Sequence, residues 1–216
     1  MITSMTGFIF SVSAWAESTD QIPDNVPYGM VAEPQMACLD FAPAWPTAAI
    51  TTSSSSLTEG SLVHGPKSTL DGSHQSTWCE GVSGHGEGEW IELQFPQSVP
   101  IEAMYLSGGY FLDERRLTSN SRLKRIRIDL DDKAPIVVSF ADPAVAPTDW
   151  TPPSNQPDYT WINAIQDNPG FIHLQSGGQR LRITVLEVYP GGSYQDTCIS
   201  EMRFVGVDSE CADSLE

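Results

Sequence analysis

Apolar and polar residues alternate with a period of two in several short segments of the chain. The clearest case is residues 89–95, where every second side chain is apolar. This period places successive side chains on opposite faces of a β-strand, so each segment predicts a strand with one buried face. Alternation or a short apolar run marks about eight strands, at residues 48–57, 89–95, 101–105, 126–130, 135–140, 171–174, 181–185 and 202–204.

Helical periodicity is nearly absent, and only residues 111–118 are compatible with a single helical turn. Many strands without helices predict an all-β fold, an antiparallel β-sandwich or jelly roll. Residues 141–170 contain six prolines together with Trp150, Tyr159 and Trp161. Proline at this density prevents a regular element, so this segment is predicted to be a long inserted loop.

The amino terminus has the features of a signal peptide. Residues 5–16 form a short apolar run that ends in Ala14-Trp15-Ala16, an A-x-A cleavage pattern, although no Lys or Arg precedes it. We therefore expect residues 1–16 to be a signal peptide, 17–46 a linker or extended lead-in, 47–206 the folded domain and 207–216 a tail. The expected location is secreted or periplasmic, and no apolar stretch is long enough to predict a transmembrane segment.

The chain is strongly acidic, with 11 basic and 28 acidic residues and a formal charge of −17. This charge repels phosphates, so nucleic acid is not an expected partner. Six of the basic residues nevertheless lie within thirteen positions, and they are compatible with an anionic glycan, a lipid headgroup or an acidic partner. The simpler interpretation is a solvated strand face that neighbouring carboxylates neutralise. The six are Arg115, Arg116, Arg122, Lys124, Arg125 and Arg127.

Four cysteines allow three disulfide pairings, which the sequence alone leaves open. They are Cys38, Cys79, Cys198 and Cys211, and no two of them form a C-x-x-C pair. Their spacing therefore matches neither a zinc knuckle nor a thioredoxin-type motif. In an exported chain, cysteines of this kind are expected to form disulfides.

Three groups of motifs occur in a characteristic order. The first contains Leu70-Asp71-Gly72, Ser76, Trp78-Cys79-Glu80-Gly81 and Gly88-Glu89-Trp90-Ile91-Glu92. The second contains Gly108-Gly109-Tyr110 and Asn120-Ser121-Arg122. The third contains Leu186-Glu187-Val188-Tyr189-Pro190-Gly191 and Asp196-Thr197-Cys198-Ile199-Ser200-Glu201.

Together these motifs resemble the discoidin-like (coagulation factor 5/8 type C, galactose-binding-like) superfamily. Within it, the chain is most similar to the glycan-binding translocation domain of an NAD-glycohydrolase toxin. The resemblance covers about residues 47–206. It implies an eight-stranded antiparallel jelly-roll β-sandwich with long loops, which has no catalytic activity of its own and binds carbohydrate through loops at one end.

The resemblance also implies a structural Ca²⁺ held by Asp71, Ser76 and Glu201, with the carbonyl oxygen of Leu70 as an additional ligand. The family's Asp-Gly-Asp is Asp71-Gly72-Ser73 here, which removes one carboxylate. Ca²⁺ takes six to eight oxygens and usually more than one carboxylate. The alternative is that Asp71 caps its own turn and Glu201 pairs with an arginine. No other cofactor is expected.

For the sugar site, the resemblance points to loop residues that combine aromatic rings with polar groups. Tyr110 and Tyr189 lie at turns, and the Trp161 loop is a predicted contributor. The polar members are Glu80, Asn120, Arg122 and Asp196. The alternative is that Tyr189 merely packs its loop, while Trp78 and Trp90 are predicted to belong to the core.

The disulfide pairing follows from the same resemblance. In the family, the segment of Trp78 and the last strand approach each other, which implies a Cys79–Cys198 bridge. Cys38 and Cys211 then remain to pair with each other, since they lie outside the motif region.

Motifs of catalysis are missing from the sequence, which lacks a G-x-S-x-G elbow, an H-E-x-x-H pair and a phosphate loop. His64, His74 and His85 have irregular spacing that fits no zinc template. The first hypothesis is therefore a non-catalytic exported module that binds a cell-surface or envelope glycan. The alternative is a periplasmic protein–protein interaction module, such as an inhibitor or immunity protein or a subunit of an envelope complex.

Overall fold

A computed structural model describes residues 39–40, 45–145 and 171–207. All of them belong to one compact unit, Ala32–Glu216, and the unit Met1–Val31 lies outside the described residues. The predicted signal peptide, Cys38, Cys211, Trp150 and Trp161 also lie outside them. Within the described ranges, no helix has the length and apolar character needed to cross a membrane.

The described residues form mainly short and long β-strands. The strands are β1 (Leu39–Asp40), β2 (Ile50–Ser53), β3 (Thr58–Glu59), β4 (Leu62–Val63), β5 (Trp78–Cys79), β6 (Trp90–Ser107), β7 (Arg122–Leu130), β8 (Ile136–Ser139), β9 (Phe171–Tyr189), β10 (Cys198–Ile199) and β11 (Glu201–Val207). The helical elements are α1 (Glu114–Ser119) and the 3-10 turns Trp45–Ala48, Pro66–Thr69 and Pro143–Val145.

Every pairing between these strands is antiparallel. The main sheet has the order β1-β11-β6-β9-β7-β8, with β2 also paired to β6, and two small sheets join β5 to β10 and β3 to β4. The predicted all-β, antiparallel jelly-roll fold is confirmed.

Two long strands build both layers of the sandwich. β6 pairs with β9 from Trp90 to Gln94, and again from Val99 onward, after a break in register. Such breaks bend a strand sharply. Phe95, before the break, contacts Phe204 of β11 with ring centroids 6.3 Å apart, and β11 pairs with the later half of β6. The two halves of each long strand therefore face each other across one core.

The core lies between these layers and includes the alternate residues that the sequence pattern selects. Ile91, Leu93 and Phe95 are buried at the start of β6, and Ile126, Ile128 and Leu130 are buried on β7. Trp78 is fully buried, as predicted. Trp90 is only half-buried, and the Arg182 guanidinium lies 4.1 Å from its ring centroid. The prediction that Trp90 belongs to the core is wrong, because its position on β6 alternates with the inward Ile91.

The observed elements differ from the predicted strands in two ways. The segments predicted at 89–95 and 101–105 are one strand, and so are those at 171–174 and 181–185. Sequence alternation is lost at each bend, so one bent strand looks like two. Five strands of two residues were missed, since two residues cannot show a period.

The Cys79–Cys198 disulfide is present, as the family resemblance implied. It joins β5 to β10, where the two cysteines are direct cross-strand partners. Both residues are buried, and 119 positions separate them in sequence.

Replacing both cysteines by serine (C79S/C198S) is expected to lower the free energy of unfolding by about 2–5 kcal/mol, because the bridge closes a long loop in the unfolded chain. Urea unfolding of the oxidised protein and the double variant measures this difference. Non-reducing peptide mapping should yield a 79–198 fragment pair. Equal stability of the two proteins would show that the bridge does not constrain the unfolded chain.

Candidate functional site

Three loops meet at one end of the sandwich: loop A (residues 80–89), loop B (108–121) and loop C (190–197). Ser121 is fully buried where they meet. Its hydroxyl donates to the Gln195 carbonyl at 3.0 Å, accepts from the Gly191 amide at 3.2 Å and lies 2.9 Å from His85 Nδ1. One serine side chain thus contacts both other loops.

Loops A and C are also joined by the predicted ligand residue Glu80. Its side chain is fully buried, and its carboxylate accepts hydrogen bonds from the amides of Val82 at 2.8 Å and Thr197 at 3.3 Å. Burial raises the pKa of Glu80, and these two amide hydrogen bonds oppose the shift. In this position, Glu80 holds two loops together and its carboxylate is not exposed to solvent.

Loop C lies so close to α1 that one position requires glycine. A Cβ on Gly191 would lie 2.3 Å from the Ser119 carbonyl oxygen and 2.4 Å from that of Tyr194. The backbone of loop C donates to the last turn of α1, with Tyr194 N to Ser119 O at 2.8 Å. Tyr194 itself is 55% exposed at this surface.

Asn120 and Arg122, both predicted to bind sugar, are buried and have partners within the protein. The Asn120 amide donates to the Arg116 carbonyl at 2.9 Å. Arg122 forms a two-point ion pair with Asp142, with N–O distances of 2.7 and 2.8 Å, and donates to the carbonyls of Leu117 and Asn120. Although burial raises the pKa of Asp142, its hydrogen bonds with Arg122 and Ala144 lower it below its usual value.

Three further basic residues of the predicted cluster, all on β7, also have carboxylate neighbours. Glu187 pairs with both Lys124 at 3.1 Å and Arg125 at 3.3 Å. Arg127 pairs with Asp129 at 2.6 Å. For these three residues, the structure agrees with the simpler interpretation, a neutralised strand face.

Tyr189 and Asp196 are half-buried. The Tyr189 hydroxyl donates to the Phe140 carbonyl at 2.9 Å, and Lys124 Nζ lies 5.9 Å from the ring centroid. The Asp196 carbonyl accepts from the Ser121 amide at 3.0 Å. Tyr189 therefore packs against the segment that follows β8, and Asp196 contributes its backbone to the junction of loops B and C.

Tyr110 has a different setting, at the surface beside polar side chains. Its half-buried ring is met edge-on by His64, with centroids 6.0 Å apart, and the Arg116 guanidinium lies 5.6 Å from the ring centroid. His64 Nε2 is 3.1 Å from a Glu59 carboxylate oxygen, and Arg116 pairs with Asp113. We call Glu59, His64, Tyr110, Asp113 and Arg116 the Tyr110 cluster.

Three polar members of the Tyr110 cluster are accessible to solvent. The Glu59, Asp113 and Arg116 side chains are 66%, 43% and 36% exposed, while His64 is buried. Asp113 also caps α1. Hydrogen bonds from Arg116, chiefly from its backbone amide, lower the pKa of Asp113.

Sequence reasoning missed Glu59 and His64 as site residues, because they lie in a polar stretch with neither period nor motif. Only Gly60, a turn residue between these two positions, pointed to a hairpin that brings them together.

Asp71, Ser76 and Glu201, the predicted calcium ligands, lie together. The Ser76 hydroxyl donates to Asp71, whose other oxygen accepts from the Ser73 amide at 2.9 Å. Glu201 is buried, with Arg203 Nε 4.0 Å from one carboxylate oxygen, while its Oε2 has no hydrogen-bond partner in the described chain. Within the described ranges, no group of three or more Asp, Glu, His or Cys side chains could hold a metal.

Burial shifts two pKa values in this region in opposite directions. It raises the pKa of Glu201 to about 8, because desolvation outweighs the opposing charge of Arg203. It lowers the pKa of the neighbouring His74 to about 4, and Arg203 adds to that shift. His74 Nε2 lies 3.0 Å from the Ser107 hydroxyl. At neutral pH, both groups are therefore expected to be uncharged in the metal-free protein.

The stability of the metal-free protein is expected to fall as pH rises from about 6.5 to about 8. Because the folded-state pKa of Glu201 is raised from 4.5 to about 8, its contribution to stability is full below pH 4.5 and is lost as pH rises to about 8. The pKa of His74 is lowered from 6.5 to about 4, so its contribution rises over that range and is constant above pH 6.5. The expected loss is on the order of 1–2 kcal/mol. Urea unfolding in EDTA at several pH values measures it. Glu201→Gln should remove the fall, while Glu187→Gln, at an exposed ion pair, should retain it.

Comparisons with known proteins identify the family. The model of the NAD glycohydrolase translocation F5/8 type C domain matches residues 45–205. No curated protein matches the chain. Solved structures with a similar fold include the arabinofuranosyltransferase AftD from Mycobacteria, at 13% identity and a TM-score of 0.46; 72% of this chain is covered, but only 10% of that one.

Two further solved structures come from Clostridium perfringens. One is the family 32 CBM of NanJ in complex with galactose, with 12% identity, a TM-score of 0.45 and coverage of 74% of this chain and 96% of that chain. The other contains the CBM32-1 and CBM32-2 domains of ZmpB in complex with GalNAc, with 9% identity, a TM-score of 0.47 and coverage of 74% and 33%. Because the family model spans well over half of the 216 residues, the chain belongs to the NAD glycohydrolase translocation F5/8 type C domain family.

Proposed function

We propose that this protein is a non-catalytic glycan-binding module that recognises a cell-surface or envelope sugar through the Tyr110 cluster. The observation that carries the proposal is a half-buried tyrosine ring at the surface, bordered by two exposed carboxylates and a guanidinium. This combination suits sugar recognition, because the C–H face of a sugar ring packs on an aromatic surface and the sugar hydroxyls need fixed hydrogen-bond partners.

Each member of the cluster has a distinct part in this proposal. Tyr110 supplies the apolar surface, Glu59 and Asp113 accept hydrogen bonds from sugar hydroxyls, and Arg116 donates. His64 is buried and contacts both Glu59 and Tyr110, so it orients these two side chains. Glu80, Asn120 and Arg122 are left out of the proposed site, because their side chains are buried and form hydrogen bonds within the protein.

We also propose that the protein is exported to an oxidising compartment. The buried Cys79–Cys198 bridge supports this location, since structural disulfides persist in secreted and periplasmic proteins. The apolar run ending in Ala14-Trp15-Ala16 is consistent with the same route.

A glycan array and a peptidoglycan pull-down test the sugar proposal, with galactose and GalNAc as the first soluble probes. Tyr110→Ala is expected to weaken binding at least tenfold, because it removes the aromatic surface. Tyr194→Ala is the matched control, an exposed tyrosine on loop C, and should retain affinity. Absence of binding, or full binding by the Tyr110 variant, would contradict the proposal. Recovery of a stoichiometric protein partner in place of a glycan would favour the interaction-module alternative.

A second proposal is that Asp71, Ser76 and Glu201 bind a structural Ca²⁺. The buried, unpartnered Oε2 of Glu201 supports it, as does the position of Asp71 beside that carboxylate. These side chains supply two carboxylates and one hydroxyl, and backbone carbonyls or waters would complete the six to eight oxygen ligands that Ca²⁺ takes. A bound cation would offset the cost of burying an ionised Glu201.

Calcium at 100 times its dissociation constant is expected to stabilise the protein by about 2.7 kcal/mol, because only the folded state has the site. Thermal unfolding in EDTA and in excess CaCl₂ measures the shift. Asp71→Asn should abolish it, while Asp132→Asn, at a fully exposed carboxylate elsewhere, should leave it intact. An unchanged melting temperature at millimolar calcium would contradict this proposal.

A further inference from the structure

The β3–β4 hairpin exposes two large apolar side chains next to the Tyr110 cluster. Thr58 pairs with Val63 and Glu59 with Leu62, and Gly60 makes the turn with a φ of 62°. Leu62 is 56% exposed and Val63 is 55% exposed. Adjacent apolar side chains that are left in solvent beside a candidate site mark a surface that a ligand can cover.

The alternation of the strand decides which of the two adjoins the cluster. Side chains at positions i and i+2 of an extended strand share a face, as do direct cross-strand partners. Leu62 therefore shares a face with its cross-strand partner Glu59. The Glu59–His64 contact of 3.1 Å places His64 on that face too. Val63 points to the opposite face.

His64 connects this face to the ring of Tyr110. The two ring centroids are 6.0 Å apart, so the buried His64 joins the hairpin face of Glu59 and Leu62 to Tyr110. Leu112, two residues after Tyr110, is also 37% exposed. The hairpin thus places one exposed leucine, Leu62, directly beside Glu59 of the proposed sugar site.

We propose that the ligand carries an apolar group directly beside the sugar ring, and that Leu62 is the side chain that contacts this group. This inference rests on the proposed glycan-binding function and narrows its ligand class to sugars with an apolar substituent. Two sources supply the same chemistry: an alkyl aglycone, as in a glycolipid, and the methyl group of an acetamido sugar.

Calorimetry measures the dissociation constants of the methyl and octyl glycosides of galactose and of glucose. The octyl glycosides are used below their critical micelle concentrations. GalNAc and galactose form the second comparison. The octyl glycoside is expected to bind about tenfold tighter than its methyl counterpart, since burial of two methylenes gives this factor. If the apolar group is an acetamido methyl, GalNAc shows the gain over galactose and the octyl chain does not.

Leu62→Ser should abolish whichever gain is seen and leave methyl glycoside binding unchanged. Val63→Ser is the matched control, with equal exposure on the opposite face of the same hairpin, and should keep the gain. Three outcomes would overturn the inference. The wild-type protein could bind octyl and methyl glycosides equally and also GalNAc and galactose equally; the gain could survive Leu62→Ser; or none of these probes could bind. Methyl glycoside binding that Tyr110→Ala weakens would uphold the proposed function independently of this result.

Discussion

The folding back of β6 and β9 is the constraint on which the rest of the structure depends. Each strand runs along one layer, bends at a break in register and continues in the other layer. Both ends of β6 therefore reach the same end of the sandwich. The Leu123 amide accordingly donates to the Gly108 carbonyl at 2.9 Å, and Leu123 pairs with Val188 of β9. Loops A and B flank β6, and loop C follows β9, so this bend gathers the loops that build the candidate site.

Polar residues around the candidate site divide into two groups according to solvent access. Ser121, Glu80 and Arg122 are buried, and their hydrogen bonds satisfy the loop backbone or a neighbouring carboxylate. A buried polar group without a partner is costly, so such residues have little capacity left for a ligand. The exposed carboxylate of Glu59 pairs with His64, and that of Asp113 pairs with Arg116, so a ligand hydroxyl can share or replace either contact at small cost.

The turn that presents Tyr110 is fastened to the strand that carries Glu201. The buried Ser200 hydroxyl accepts from the Phe111 amide and donates to the Gly109 carbonyl, both at 2.9 Å. These two bonds flank Tyr110 on either side. The ring of His74 also lies 6.1 Å from that of Phe111 in the same turn. The Tyr110 turn is thus held by neighbours of Asp71 and Glu201, which links the stability of that region to the geometry of the proposed site.

The sequence by itself determined the strands whose side chains alternate, the single turn of helix after Asp113 and, through the order of its motifs, the family and the Cys79–Cys198 bridge. Alternation is a local rule, so it is legible wherever one face of a strand is buried. Only the tertiary structure decided that Glu80, Asn120 and Arg122 turn inward, and that Glu59 and His64 meet Tyr110. Loop residues have no period to reveal their orientation, and their contacts join positions far apart in the chain. Those contacts depend on the bend and register of β6 and β9, which no local pattern of residues encodes.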